Sequence, residues 1–155
     1  MIRPRIAGAA RRFSSAAARV SQYEPPQVEL LSCIAPPTLS RLLAIENEAF
    51  PPCERLGSVL LPQTALQRNN GLLVAHAEED FAGYLLFSRT AEESIIMKLA
   101  VEAAHRGCGV GSMLLRRAIE ELEQPTRRGD ARPIVLHVDP SRDAARRLYS
   151  GAGFA

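Results

Sequence analysis

The stretch AAHRGCGVGSMLLRRAIEEL, Ala103 to Leu122, constrains the fold more than any other part of the chain. Gly107, Gly109 and Gly111 crowd together beside Arg106, and a run follows with Leu114, Leu115, Ala118, Ile119 and Leu122. Apolar residues three and four apart form one buried stripe on a helix, so the spacing predicts a helix over about Gly109–Glu123. Upstream, SIIMKLAV (Ser94–Val101) predicts a strand. A strand that passes through glycines into a helix makes an anion receptor. The first helical turn presents unpaired N–H groups and the positive end of the macrodipole. Glycines let a ligand approach them with no Cβ in the way. Phosphate or pyrophosphate is the natural ligand, and Arg106 adds a forked cationic contact.

Two nucleotide patterns fail on spacing. The loop has no lysine for a GxxxxGK[ST] phosphate loop, and a GxGxxG pattern from Gly107 needs glycine where Ser112 stands. The other elements read in order. VELLSCI (Val28–Ile34) predicts a strand, and TLSRLLAIENEAF (Thr38–Phe50) a helix ended by Pro51 and Pro52. A weaker helix over Glu54–Arg68 is expected to break at Pro62. GLLVAHA (Gly71–Ala77) and FAGYLLFSR (Phe81–Arg89) form a hairpin around Glu78, Glu79 and Asp80. IVLHV (Ile134–Val138) is a strand, and SRDAARRLYSG (Ser141–Gly151) a short helix. The order β-α-α-β-β-β-α-β-α gives an α/β fold, an α+β sandwich of a mixed sheet flanked by helices.

The charge is unevenly placed. Met1 to Tyr23 holds five arginines and no acid; beyond it, 14 basic residues face 17 acidic ones. A leader rich in Arg, Ser and Ala and poor in acid fits an organellar transit peptide, mitochondrial before plastid or a cytoplasmic protein; the plainer alternative is a basic arm. YEPPQ then marks a linker over 24–27, and the domain is assigned to 28–155. The acidic body argues against nucleic acid as partner, and scarce aromatics argue against a base-stacking surface. No apolar run approaches the roughly 18 residues of a membrane span. Cys33, Cys53 and Cys108, like His76, His105 and His137, are dispersed, so neither a disulfide framework nor a metal site is expected.

Two motifs carry a resemblance. LAV-EAAH-RGCGVGSMLL resembles the acetyl-CoA signature of the GNAT N-acetyltransferases, [Q/R]-x-x-G-x-[G/A], with Arg106, Gly109 and Gly111 in the matching positions. AARRLYSGAGF is similar to the family's second signature, Ala-x-x-Leu-Tyr-x-x-x-Gly-Phe. The resemblance spans about Val28–Phe154, and AGYLLFSR and LYSGAGF are similar in particular to the bacterial ribosomal-protein N-terminal alanine acetyltransferases. It implies a GNAT-like fold and acetyl-CoA as co-substrate, with no metal. It implies that Leu99, Ala100 and Val101 pair with the pantetheine arm. It also implies that the loop of Arg106, Gly107, Cys108, Gly109, Val110 and Gly111, with Ser112, holds the pyrophosphate.

Acetyl transfer needs a neutral amine and a proton for the departing thiolate. An α-amine titrates near 8 and a lysine near about 10.4, so the first needs less help from a base. Tyr149 matches the family tyrosine that protonates the thiolate, or is simply the buried face of the last helix. His137 takes the strand position where the alanine acetyltransferases have a glutamate; it relays the amine proton or is an ordinary strand histidine. Glu102 is a weaker base candidate, and Lys98 reads as surface. Arg142 replaces the family's usual asparagine and either binds phosphate or weakens the site. Family members continue with two more strands, whereas this sequence stops at Ala155 after GAGF, leaving a sheet edge near Val138. A truncated gene model is the preferred reading of that stop; closure by a partner chain, as in a homodimer, and a degenerate enzyme stay open. The expected acceptor is a protein or small-molecule amine, and a non-catalytic acyl-CoA-binding module is the alternative.

Overall fold

The structure is a computed structural model that describes residues 24–125 and 132–154. The basic leader therefore lies outside the described residues. The elements are β1 (Gln27–Leu31), α1 (Pro36–Ala49), α2 (Gly57–Ala65), β2 (Asn70–Ala77), β3 (Asp80–Arg89), β4 (Ser94–Val101), α3 (Val110–Glu123), β5 (Ile134–Leu136) and α4 (Asp143–Gly151). They form one mixed sheet in the order β1-β2-β3-β4-β5. The first four strands are antiparallel neighbours, and β5 runs parallel to β4.

The chain makes this sheet because its central strands are apolar on both faces, as strands covered by helices on each side must be. Leu72, Val74, Tyr84, Leu86 and Ala100 pack with Leu42, Ile45, Leu61 and Ala65 of α1 and α2. Leu73, Ala75, Leu85, Phe87 and Ile96 pack with Val110, Leu114, Leu115, Ala118 and Leu122 of α3. The expected stripe of α3 is thus the buried one, except that Ile119 is only partly covered and Glu121 joins it. Glu121 tolerates burial because Arg117 pairs with it at 2.6 Å.

Several boundaries differ from the sequence expectation, each for a physical reason. Pro62 sits inside α2 rather than breaking it. The helix loses one backbone bond there but keeps its turn because Leu61 and Ala65 are buried against α1 and the sheet. Ser141 does not open α4. Its N–H and hydroxyl both donate to Asp139 Oδ1 (2.8 and 2.7 Å), forming a turn that delivers Arg142 as the residue capping α4. Those two hydrogen bonds hold the Asp139 carboxyl below the usual carboxylate range. Strand β5 ends at Leu136, so His137 and Val138 lie beyond it.

Lys98 is the clearest correction. The β4 register slips between Leu86/Lys98 and Phe87/Ile96, which leaves Met97 as an extra, unpaired residue. A bulge of this kind reverses which face the following residues point to. Ile96 therefore faces α3 while Lys98 turns under α1, where its side chain is 11% exposed and its Nζ donates to Glu46 Oε1 at 2.7 Å. Glu46 is itself 1% exposed and also accepts N–H bonds from Leu56 (3.1 Å) and Gly57 (3.3 Å) at the start of α2. The Tyr84 hydroxyl is buried nearby with no hydrogen-bond partner. Burial, and then the negative charge of Glu46, raise its pKa far above the ordinary phenol value.

An unpaired buried hydroxyl costs about 1–3 kcal/mol, while its removal costs little packing. Tyr84→Phe is therefore expected to stabilise the fold by about 1 kcal/mol, seen as a higher urea midpoint with an unchanged slope.

Candidate active site

The candidate cleft forms where β4 and β5 part. The two strands pair as Ser94–Ile134, Ile95–Val135 and Ile96–Leu136, and the ladder stops there, at the Met97 bulge. Beyond it β4 continues to Val101 with β3 on one side only. Glu102 N–H donates to Ala82 C=O. Alternation along an antiparallel ladder then turns the backbone polar groups of Ala100 to β3, and those of Leu99 and Val101 into the gap. The gap opens into a groove of about 910 Å³.

The groove gathers nearly all the residues singled out from the sequence. Leu99, Ala100 and Val101 form one wall; Arg106, Gly107, Gly109, Val110, Gly111 and Ser112 one end; His137, Arg142 and Tyr149 the opposite side. Cys108 does not line it: its thiol is exposed, 3.7 Å from Arg106 C=O. Glu102 stays outside too, 3.6 Å from His105 Nε2.

The glycine loop has the shape an anion needs. Gly107 and Gly109 adopt φ of 74° and 83°, a left-handed region costly for any residue with a side chain. A Cβ at either position would point into open space, so the constraint is the backbone path itself. Gly109 caps α3 and no side chain fills that end, leaving the first-turn N–H groups to the groove. At Gly111 the neighbours are close: a Cβ would lie 3.3 Å from Leu148 and 3.6 Å from Val101. Residue 111 is therefore where α3, α4 and β4 meet. The glycine backbone, the uncapped helix end and the open β4 edge fit the pyrophosphate and pantetheine parts of coenzyme A.

The cations are placed differently. Arg106 is braced, with Nε donating to Val101 C=O (3.0 Å) and its guanidinium paired with Glu48 (3.1 Å). Arg142 pairs with Glu54 at 2.7 Å, its guanidinium 5.3 Å from the Phe50 ring centroid. Lys98 lies 4.1 Å from the same ring and also donates to Glu54 C=O. Tyr149 is half-buried, in edge contact with Phe154. Burial raises its phenol pKa, and the Arg142 charge pulls the other way. His137 is exposed to solvent on the groove wall. Among the described residues no cluster of three or more His, Cys, Asp or Glu is placed to hold a metal.

Sequence reasoning missed Glu46, Glu48, Phe50 and Glu54. Glu46 was discoverable: it falls four residues after Leu42, on the buried stripe of α1, where an acid needs a partner. The chain's sole lysine was that partner.

A parallel strand pair that splays around an open edge, with a glycine loop at the head of the next helix, defines the acyl-coenzyme A N-acyltransferase class. Residues 39–154 match the family model described as Acetyltransferase (GNAT) family. The chain belongs to that family of acetyltransferases. No curated protein sequence matches it significantly. Among solved structures it is similar to the ribosomal-protein-S18-alanine N-acetyltransferase from Escherichia coli, with TM-score 0.66, 23% identity, and 83% of this chain and 78% of that one covered. It is also similar to the aminoglycoside acetyltransferase HMB0005 from an uncultured soil metagenomic sample, with TM-score 0.66, 25% identity and coverage of 85% and 93%. A third is AAC(6')-Iy in complex with the bisubstrate analog CoA-S-monomethyl-acetylneamine, with TM-score 0.67, 13% identity and coverage of 85% and 92%.

The buried pair under the groove gives a test of its own. Lys98→Met would strand the Glu46 carboxylate with only two backbone donors. A loss of about 3 kcal/mol is expected, measured by chemical denaturation, with recovery when Glu46→Gln is added.

Proposed function

We propose that this chain is an acetyl-CoA-dependent N-acetyltransferase acting on a primary amine, a protein N-terminal α-amine or a lysine. The observation that carries the reading is the coincidence of three features in one groove: the open β4 edge, the left-handed Gly107–Gly109 turn, and Tyr149 opposite them. Acetyl-CoA supplies the activated thioester. The β4 edge at Leu99 and Val101 aligns the pantetheine arm, and the first turn of α3 with its glycines takes the pyrophosphate. Cys108 takes part through its backbone, since its thiol is turned away. Tyr149 donates the proton that the departing thiolate needs. His137, on the same wall, takes the amine proton directly or through water. The half-buried phenol matches the first role, because burial keeps it protonated.

The E. coli protein named above is an alanine N-acetyltransferase of a ribosomal protein, which favours a protein N-terminus as acceptor. The soil protein acts on aminoglycosides and keeps a small amine in view. We further assign the acid-free, arginine-rich first 23 residues to targeting, with the mitochondrion as destination. No nucleic acid or membrane partner is proposed, and assembly as a homodimer remains a subsidiary proposal.

A thermal-shift titration with acetyl-CoA tests the site directly. The wild-type chain should gain about 2.7 kcal/mol at a hundredfold excess over Kd, while Gly109→Asp, with an acid in the left-handed turn, should show no rise. Acetyl transfer to an alanine-terminated peptide should then fall about a hundredfold in Tyr149→Phe, with coenzyme affinity unchanged. Because the phenol is raised and acts as the protonated acid, kcat should not lose this group below the ordinary value of about 10; its alkaline fall belongs above that. A kcat that drops through pH 8–9 with Tyr149 intact, and is unchanged in Tyr149→Phe, removes the assignment.

A further inference from the structure

We propose that the Arg142–Glu54 ion pair is a strap across the cleft, and that both residues position the helix carrying Tyr149 against β4. The proposal rests on the acetyltransferase reading given above and deepens it at the same site.

The groove has two ends. At one, Gly111 lies against Val101 of β4 and Leu148 of α4, so the walls touch through packing. The other end lies three residues back along β4, about 10 Å at strand spacing, and about 9 Å back along α4 from Leu148 to Arg142. Here the ladder between β4 and β5 has already stopped at Ile96–Leu136. What joins the walls there by hydrogen bonds is Glu54 of the short 3-10 turn Pro52–Glu54 that follows α1. Glu54 accepts from Lys98 of β4 through its main-chain carbonyl, and from Arg142 of α4 through its carboxylate at 2.7 Å. Phe50 fills the space beneath, with Lys98 at 4.1 Å and Arg142 at 5.3 Å from its centroid.

Helix α4 depends on such a tie because it has no buried residue. Its anchors are partly buried Leu148 and Tyr149, both near its far end. An ion pair of this exposure, 34% and 44%, contributes little to global stability. Its effect is therefore on position rather than on folding. An acid whose hydroxyl must meet one sulfur atom is sensitive to displacement of about 1 Å, which costs as much as a hundredfold in rate. The guanidinium of Arg142 is thus turned to Glu54, at the end away from Gly111.

Two measurements on the protein test the strap. The first is hydrogen exchange. Glu54→Gln and Arg142→Met should each speed exchange of the α4 amides at least tenfold while leaving α3 unchanged and shifting Tm by no more than a few degrees. The second is a double-mutant cycle on acetyl transfer. Each single variant should lower kcat about tenfold with the Kd for acetyl-CoA unchanged, and the double variant should be no slower than either. Arg142→Lys should recover part of the loss. Unchanged α4 exchange, or losses that multiply in the double variant, would overturn the strap. So would weakened coenzyme binding in Arg142→Met with Glu54→Gln normal, which makes Arg142 a coenzyme ligand instead. If the wild-type chain binds coenzyme but transfers no acetyl group, the enzymatic reading fails, and the exchange experiment still decides the strap.

Discussion

The parting of β4 from β5 at Met97 is the constraint on which the rest of the site depends. Two parallel strands with full ladders would saturate each other's polar groups and leave no room between them. Here one extra residue ends the pairing after three rungs. The edge of β4 that this leaves open is the groove wall. The slip also sets side-chain direction: it turns Lys98 away from α3 and sends it under α1 to Glu46. One backbone irregularity thus opens the cleft and sets the tie beneath it.

Much of the fold was legible because its signals are periodic. The stripe of α3, the hairpin and the element order follow from spacing and turn residues, and the two family signatures fall on β4, the glycine loop, α3 and α4. What was hidden is non-local. A bulge leaves no mark in the pattern of SIIMKLAV, so Lys98 read as solvent-facing. The helix-breaking tendency of Pro62 was real but was outweighed by burial of its neighbours, a tertiary effect. Arg142 is the sharpest case. From sequence it had two fates, phosphate ligand or defect, and its pairing with Glu54 could not be read there, because that partner lies 88 residues away.

The buried charges show how a polar group survives beneath an apolar sheet. Glu46 is satisfied three ways, by Lys98 and by the first two N–H groups at the start of α2, where a carboxylate also meets the positive end of a helix. The Tyr84 hydroxyl, buried close to the same carboxylate, has no hydrogen-bond partner. The contrast separates a built network from a hydroxyl left over by packing.

The absence of any buried residue in α4 also divides the molecule energetically. The four-stranded meander with α1, α2 and α3 contains the fully buried core, whereas β5 and α4 attach through three ladder rungs and a few half-covered side chains. Such a unit opens at a lower free energy than the whole fold. A ligand that lies between β4 and α4 touches both parts and so acts as mortar between them. Its binding energy would then be spent first on suppressing partial opening. The enzyme would be most vulnerable to proteolysis between catalytic cycles, and the cellular ratio of coenzyme to protein would set its lifetime as well as its rate.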